Sequence, residues 1–267
     1  MKGKLAGPLD RCIYGDHLDS EGFTDEHIIP AAFGETAYID NASCHSCSRI
    51  TSSIELYCAR HIFQELRIHH SIKGRKNRKA PPSELPITVE INGQKEEHMF
   101  PVAQHPSLLI LPAVSAPGIL MGAAPSAIWP EARFHCWVFK QHIPSATKLV
   151  KEKGGTSYEV TKSVTPERFF RLIAKVAHCF AVAVRGYGTF KPYLPDVILG
   201  SEPHIPYFVG GETSSLPPGA MKHELHLEEA ERGGKRLLIA RVRLFANIGT
   251  PENATPAYYA VVGEQAG

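Results

Sequence analysis

Three cysteines in the first fifth of this chain limit what it can become. Cys44-x-x-Cys47 has the spacing of a zinc knuckle, and Cys12 stands upstream as the start of a second. Zinc favours four sulfur or nitrogen ligands in a tetrahedron, and two knuckles commonly supply them. The expected partner of Cys12 is missing, because Gly15 holds its position. His17 offers a nitrogen nearby and Asp16 an oxygen. Cys12, His17, Cys44 and Cys47 therefore form a sound ligand set, set against the reading that Cys12 is only a buried thiol. A site of this kind ties a short segment around an ion before any large core is needed.

Between the knuckles lies Thr24-Asp25-Glu26-His27-Ile28-Ile29-Pro30, and Asn41 follows just before the second knuckle. Imidazole exchanges protons near neutral pH, which suits His27 to taking one from water. Glu26 can hold a hard cation such as Mg2+ or Mn2+ through oxygen. Asn41 can fix the orientation of the imidazole through its second nitrogen. Neighbours on a strand point to opposite faces, so Glu26 and His27 must sit where the strand twists or a turn begins. From Cys47 onward the period becomes helical, with Ile50, Ile54, Tyr57 or Cys58, Ile62 and Leu66 recurring. The shape implied is strand, strand, helix around metal. Glu55 falls two helical turns after Ser48 and shares its face.

These residues resemble the HNH endonucleases, the nucleases of the ββα-metal fold. The Asp25-Glu26-His27-Ile28-Ile29-Pro30 run looks like the family's acid-His-Ile-Ile-Pro signature. Asn41 falls where the family has its central asparagine, and Cys44-x-x-Cys47 where it has its second knuckle. The run Ile50-Thr51-Ser52-Ser53-Ile54-Glu55 looks like an uncharacterised bacterial subgroup. The likeness covers about residues 10–70. It implies His27 as general base, Asn41 as its orienting partner, Glu26 and the Ser48 position as ligands of a catalytic Mg2+ or Mn2+, and Cys12, Cys44 and Cys47 on a structural zinc. Ser48 departs from the family, which has asparagine or histidine there. The implied activity is metal-dependent hydrolysis of DNA phosphodiester bonds, leaving 5′-phosphate and 3′-hydroxyl ends. A catalytically silent zinc module that binds nucleic acid is the alternative, as is a scaffold for a ligand-binding C-terminal half.

Arg67, Lys73, Arg75, Lys76, Arg78 and Lys79 then crowd together ahead of Ala80-Pro81-Pro82. They suit a phosphate backbone without reading bases, or else a solvated linker. The prolines suggest a boundary between an HNH-like module over 1–80 and an α+β domain over 84–267. In the second part, Asn92-Gly93 signals a hairpin after a strand over Ile87–Ile91. Further strands are expected over Leu108–Leu111, Arg133–Phe139, Tyr158–Thr161, Leu237–Phe245 and Ala257–Val262. Pro166 opens a helix that Gly186 closes, apolar round most of its circumference and so buried. Residues 1–10 read as a loose lead-in.

With 43% hydrophobic and 21% charged residues the composition is that of a globular chain, and a net charge of +2 does not by itself argue for nucleic acid. The expected setting is cytoplasmic, with DNA as partner and no membrane, and a homodimer would suit cutting both strands. In a reducing compartment the six cysteines read as ligands or buried thiols, with Cys58, Cys136 and Cys179 in the core.

Overall fold

The computed structural model describes residues 3–15, 21–72, 82–138, 140–212, 216–250 and 253–265. Its strands and helices in chain order are β1 (Lys4–Ala6), β2 (Phe23–His27), β3 (Tyr38–Cys44), α1 (His45–Tyr57), α2 (Gln64–His69), β4 (Glu84–Ile91), β5 (Gln94–Pro101), β6 (Leu108–Val114), α3 (Gly118–Met121), β7 (Ala132–Val138), α4 (Ile143–Glu152), β8 (Ser157–Glu159) and α5 (Pro166–Arg185). They continue with β9 (Phe190–Pro192), α6 (Pro195–Leu199), α7 (Ile205–Phe208), β10 (Val209–Gly211), β11 (His223–Arg232), β12 (Lys235–Leu244), β13 (Gly249–Thr250), β14 (Asn253–Ala254) and β15 (Tyr258–Gln265). The architecture is mixed α+β. Among the described residues no helix is long and apolar enough to cross a membrane.

α5 is the axis of the molecule. Pro166 sits in its first turn, where a missing N–H costs nothing, and Gly186 ends it with φ 94°. Its amino end lacks a side-chain cap of its own. Tyr57 takes part of that role, since its hydroxyl accepts from the Thr165 N–H (3.0 Å) and donates to Thr165 Oγ1 (2.8 Å). One side of α5 packs on an antiparallel sheet of order β10-β15-β12-β11, with β9 beside β15. Phe169 and Phe170 both meet Tyr258 edge-on there, with ring centroids 4.9 and 5.8 Å apart. The other side of α5 packs on α1 and β1.

β12 carries apolar residues at four successive positions, Leu237 to Ala240, because both its faces are covered there. Leu238, Ala240, Val242 and Leu244 join the main core, while Leu237 and Ile239 join a small cluster with Val261 on the far face. The Asn92-Gly93 hairpin joins β4 to β5, with φ of 52° and 77° at the turn, the left-handed pair that a tight two-residue turn requires. β8 and α4 complete a separate small core of Ile87, Val89, Phe100 and Val150.

Three expectations need correction. The lead-in contains β1, which pairs parallel to β3. Cys136 is exposed on β7, which pairs with β6 alone and is exposed along most of its length. The stretch near residue 80 does not separate two cores. Phe33 and Phe63 from the first part pack with Phe245 at 5.4 and 5.2 Å, and Phe63 lies 6.3 Å from Phe169. One hydrophobic core thus runs from Cys12 to Val262. The self-contained piece is instead the small β4-β5-β8 layer with α4.

Candidate metal centre and catalytic cleft

β2 and β3 form an antiparallel pair with a large bulge. The register passes from Thr24 opposite Ser43 to Glu26 opposite Ile39. Two steps on β2 therefore face four on β3, and the surplus around Asn41 loops out. Asn41 takes φ 49°, a left-handed conformation that asparagine tolerates better than most residues. Its N–H donates to Asp25 Oδ1 at 3.4 Å. Bulges re-aim side chains, and this one turns Glu26 into the interior while His27 ends the strand half-buried, near Tyr38.

At one end of this hairpin Cys12, Cys44 and Cys47 converge. All three are buried, and their sulfurs lie within 4.8 Å of one another. β3 delivers Cys44, the first turn of α1 delivers Cys47, and the Ile13 N–H donating to Ala42 O at 2.9 Å holds the Cys12 loop against β3. Burial pushes the Cys12 and Cys47 thiols above their ordinary value, and the crowding of sulfur on sulfur adds to it. Such a cluster is poor as three thiols and good as three ligands, because a bound cation takes them as thiolates. The cluster is compatible with zinc. Among the described residues it is the one place where three such ligand atoms meet. His17 and Asp16, the two candidates for the fourth ligand, lie outside the described residues.

At the other end a cleft of about 580 Å³ opens between β2 and α1. Asp25, Glu26, His27, Ser48, Ser52 and Glu55 line it. The helical spacing of Ser48 and Glu55 brings them to one face, as the sequence implied, and Ser52 joins them there. His27 shares the cleft with them. Asn41 is exposed on the bulge, where its backbone N–H meets Asp25.

The floor of the cleft holds a residue that sequence reading did not single out. Lys175, in the middle of α5, is fully buried. Its ammonium lies 2.8 Å from Glu26 Oε1 and 2.6 Å from Glu55 Oε1, and it also donates to the backbone oxygen of His27. The remaining Glu26 oxygen accepts from Thr51 Oγ1 at 3.4 Å. Burial pulls the Lys175 pKa down, but the two carboxylates outweigh it and the net shift is upward. The ammonium stays charged.

This arrangement decides how well a divalent ion fits. Glu26 is only 4% exposed and already has a cation. It does not fit as a ligand of Mg2+ or Mn2+. Ser48 lines the cleft but brings only a neutral hydroxyl. The sequence did carry a signal for Lys175: a lysine inside an otherwise apolar, buried helix implies a buried acid to meet it.

Two further side chains of α5 reach the cysteine end. His178 Nε2 donates to Ile13 O at 2.8 Å, and Tyr14 Oη lies 3.2 Å from Cys179 Sγ. Of the expected basic residues, Arg67 turns inward, with Nε on Ala32 O (2.7 Å) and Nη1 on Ala59 O (3.0 Å). Lys73, Arg75, Lys76, Arg78 and Lys79 lie outside the described residues. No protein-family model, no curated protein and no solved structure matches the chain.

Proposed function

We propose that the first part of the chain is an HNH-type module that hydrolyses phosphodiester bonds of DNA, with His27 as general base. One observation carries the reading: the bulged hairpin and α1 hold a three-cysteine cluster at one end and an open cleft over His27 at the other. Zinc on Cys12, Cys44 and Cys47 would tie β3 and α1 to the Cys12 loop and leave the cleft free. In this reading the imidazole takes the proton of a water that attacks phosphorus. The bond to the 3′ oxygen breaks, and the departing oxygen takes its proton from solvent in the open cleft. No step runs through a Glu26-bound divalent ion, because Lys175 already neutralises that carboxylate. DNA is the proposed partner, the cytoplasm the setting, and a homodimer the arrangement for cutting both strands.

The test is nicking of supercoiled plasmid by zinc-loaded protein in Mg2+, in Mn2+ and in chelator. Nicking should fall about 100-fold or more in His27→Ala, the usual worth of a general base. Equal cutting by His27→Ala would sink the proposal. Nicking by zinc-loaded protein only when Mg2+ or Mn2+ is added would put a divalent ion in the open part of the cleft. A second reading is favoured by the Glu26–Lys175 pair itself: a module that binds nucleic acid without cutting it. It predicts salt-sensitive binding and no nicking in any lane.

A further inference from the structure

The opposite side of α1 carries a second cleft, of about 470 Å³, lined by Ser46, Arg49, Ile50, Ser53, Ile54, Arg168 and Arg171. It lies between α1 and the start of α5. Three guanidinium groups face it and no carboxylate lines it.

How these arginines are held is informative. An arginine kept for stability is normally paired with an acid. Arg168 instead lies over the Tyr57 ring, 4.7 Å from its centroid. Arg171 is fixed by a backbone carbonyl, with Nε and Nη2 at 3.1 and 2.9 Å from Ile198 O. Gly200 leaves room for it, since a Cβ there would come within 2.9 Å of its Nη2. Glu167, on an exposed side chain, lies 3.4 Å from Arg171 Nη1. Among the described residues neither Arg49 nor Arg168 has an acidic partner. Arg171 is thus held in place by a peptide oxygen and adds fixed positive charge, while the exposed guanidiniums of Arg49 and Arg168 are placed to meet an outside anion.

We propose that this cleft binds the phosphodiester backbone of a nucleic acid at a position away from the bond to be cut. The inference deepens the nuclease reading and rests on it for the identity of the ligand. Ser53 adds a hydroxyl donor for phosphate oxygens, while the Ser46 hydroxyl meets Cys44 Sγ at 3.1 Å, and Ile50 and Ile54 give an apolar wall for a sugar. Arg49 and Ser53 lie roughly 100–140° round the helix from Ser48, and an α-helix with its side chains is about 10–12 Å across. A strand that wraps α1 would place one phosphate over His27 and another among the arginines. Such contacts position a substrate without reading its sequence.

The experiment is fluorescence anisotropy of a labelled short duplex and of its single strand, over a salt series. The full zinc-loaded chain is used, in a His27→Ala background so that the probe is not consumed. Both arginines to be changed are exposed, so Arg49→Ala/Arg168→Ala should fold, and its melting temperature checks that. Binding is expected to weaken about tenfold or more, and the slope of log K against log salt to drop by about 2, near 0.9 per phosphate lost on duplex. Arg49→Lys/Arg168→Lys should keep most of the slope while losing affinity. Unchanged affinity and slope in the alanine variant, or no binding by the parent, overturns the proposal. Inorganic phosphate or pyrophosphate that binds the cleft and is not displaced by the duplex also overturns it, in favour of a small phosphate ligand. Plasmid that is not nicked, together with an arginine-dependent loss of binding, removes the hydrolysis reading and leaves the cleft standing. Nicking that needs His27, with binding indifferent to the arginines, does the reverse.

Discussion

The two ends of the small hairpin–helix unit solve the same problem in opposite ways. At the cysteine end, three groups that carry negative charge as ligands converge with no cation from the chain among the described residues. At the acid end, two carboxylates converge and the chain supplies its own cation, Lys175. The first end is incomplete without an outside ion. The second is complete without one. Both are closed by α5, which sends His178 toward the loop next to Cys12 and Lys175 between Glu26 and Glu55. The lesson is that converging ligands alone do not make a metal site; what already occupies the centre decides.

The largest effect should come from breaking the cysteine end. A structural zinc can contribute on the order of 10 kcal/mol to a small unit. Cys44→Ser should therefore lose bound zinc and unfold the hairpin–helix unit, read as zinc content by elemental analysis and as lost amide protection over residues 23–57. A Cys44→Ser protein with unchanged melting and protection would show that the cluster is three buried thiols and no more.

Lys175→Met breaks the acid end and should come next. Removing one partner of a buried pair strands the other, at a cost of about 3–5 kcal/mol. Adding Glu26→Gln should return part of that loss, since the stranded charge goes with it. Urea unfolding of the parent, both single variants and the double variant gives the coupling. A coupling near zero would mean that the Lys175–Glu26 contact does not hold the floor of the cleft. The raised Lys175 pKa fixes the pH range. Its contribution is fully present below the ordinary lysine value and is lost only as pH rises through the higher folded value. Lys175 itself thus stays charged from pH 7 to about 10, and any change in the cost of Lys175→Met over that range reports the stranded Glu26 carboxyl, whose pKa burial already raises.

How much of this was readable depends on whether a signal was local. Asn92-Gly93 announced its hairpin because turn chemistry lies within two residues. Pro166 and Gly186 bounded α5 for the same reason. Ser48 and Glu55 shared a face because helical spacing fixes it. β11 went unread because it is an edge strand rich in acids, with only Leu225 and Leu227 alternating toward the core. The single core went unread because Phe33 and Phe245 are brought together only by the fold. Glu26 was legible as important, but not its partner. Nothing local ties it to a lysine 149 positions on, and only the odd presence of Lys175 in an apolar helix hinted that an acid waited for it.

Acid separates the two ends more finely. His178 is fully buried, with Nε2 on Ile13 O and Nδ1 without a hydrogen-bond partner among the described residues. Burial lowers its pKa to about 4. The unfolded chain, with an ordinary imidazole, takes up a proton near pH 6.5 that the folded chain refuses until about 4. Where the unfolded state binds more protons, stability rises with pH, so it must fall on going from 6.5 to 4. The loss assigned to this one ring is about 3 kcal/mol, with a limiting slope of about 1.4 kcal/mol per pH unit. His178→Gln keeps an N–H donor for Ile13 O and has no ring to protonate. It should be less stable than the parent at pH 7, yet its stability should fall less steeply with acid. Any acid release of zinc is common to both proteins and cancels in the difference. Equal slopes in urea unfolding between pH 4 and 6.5 would show that the ring is not held neutral. They would also show that α5 acts on the cysteine end through packing alone, unlike the charged contact it makes at the other.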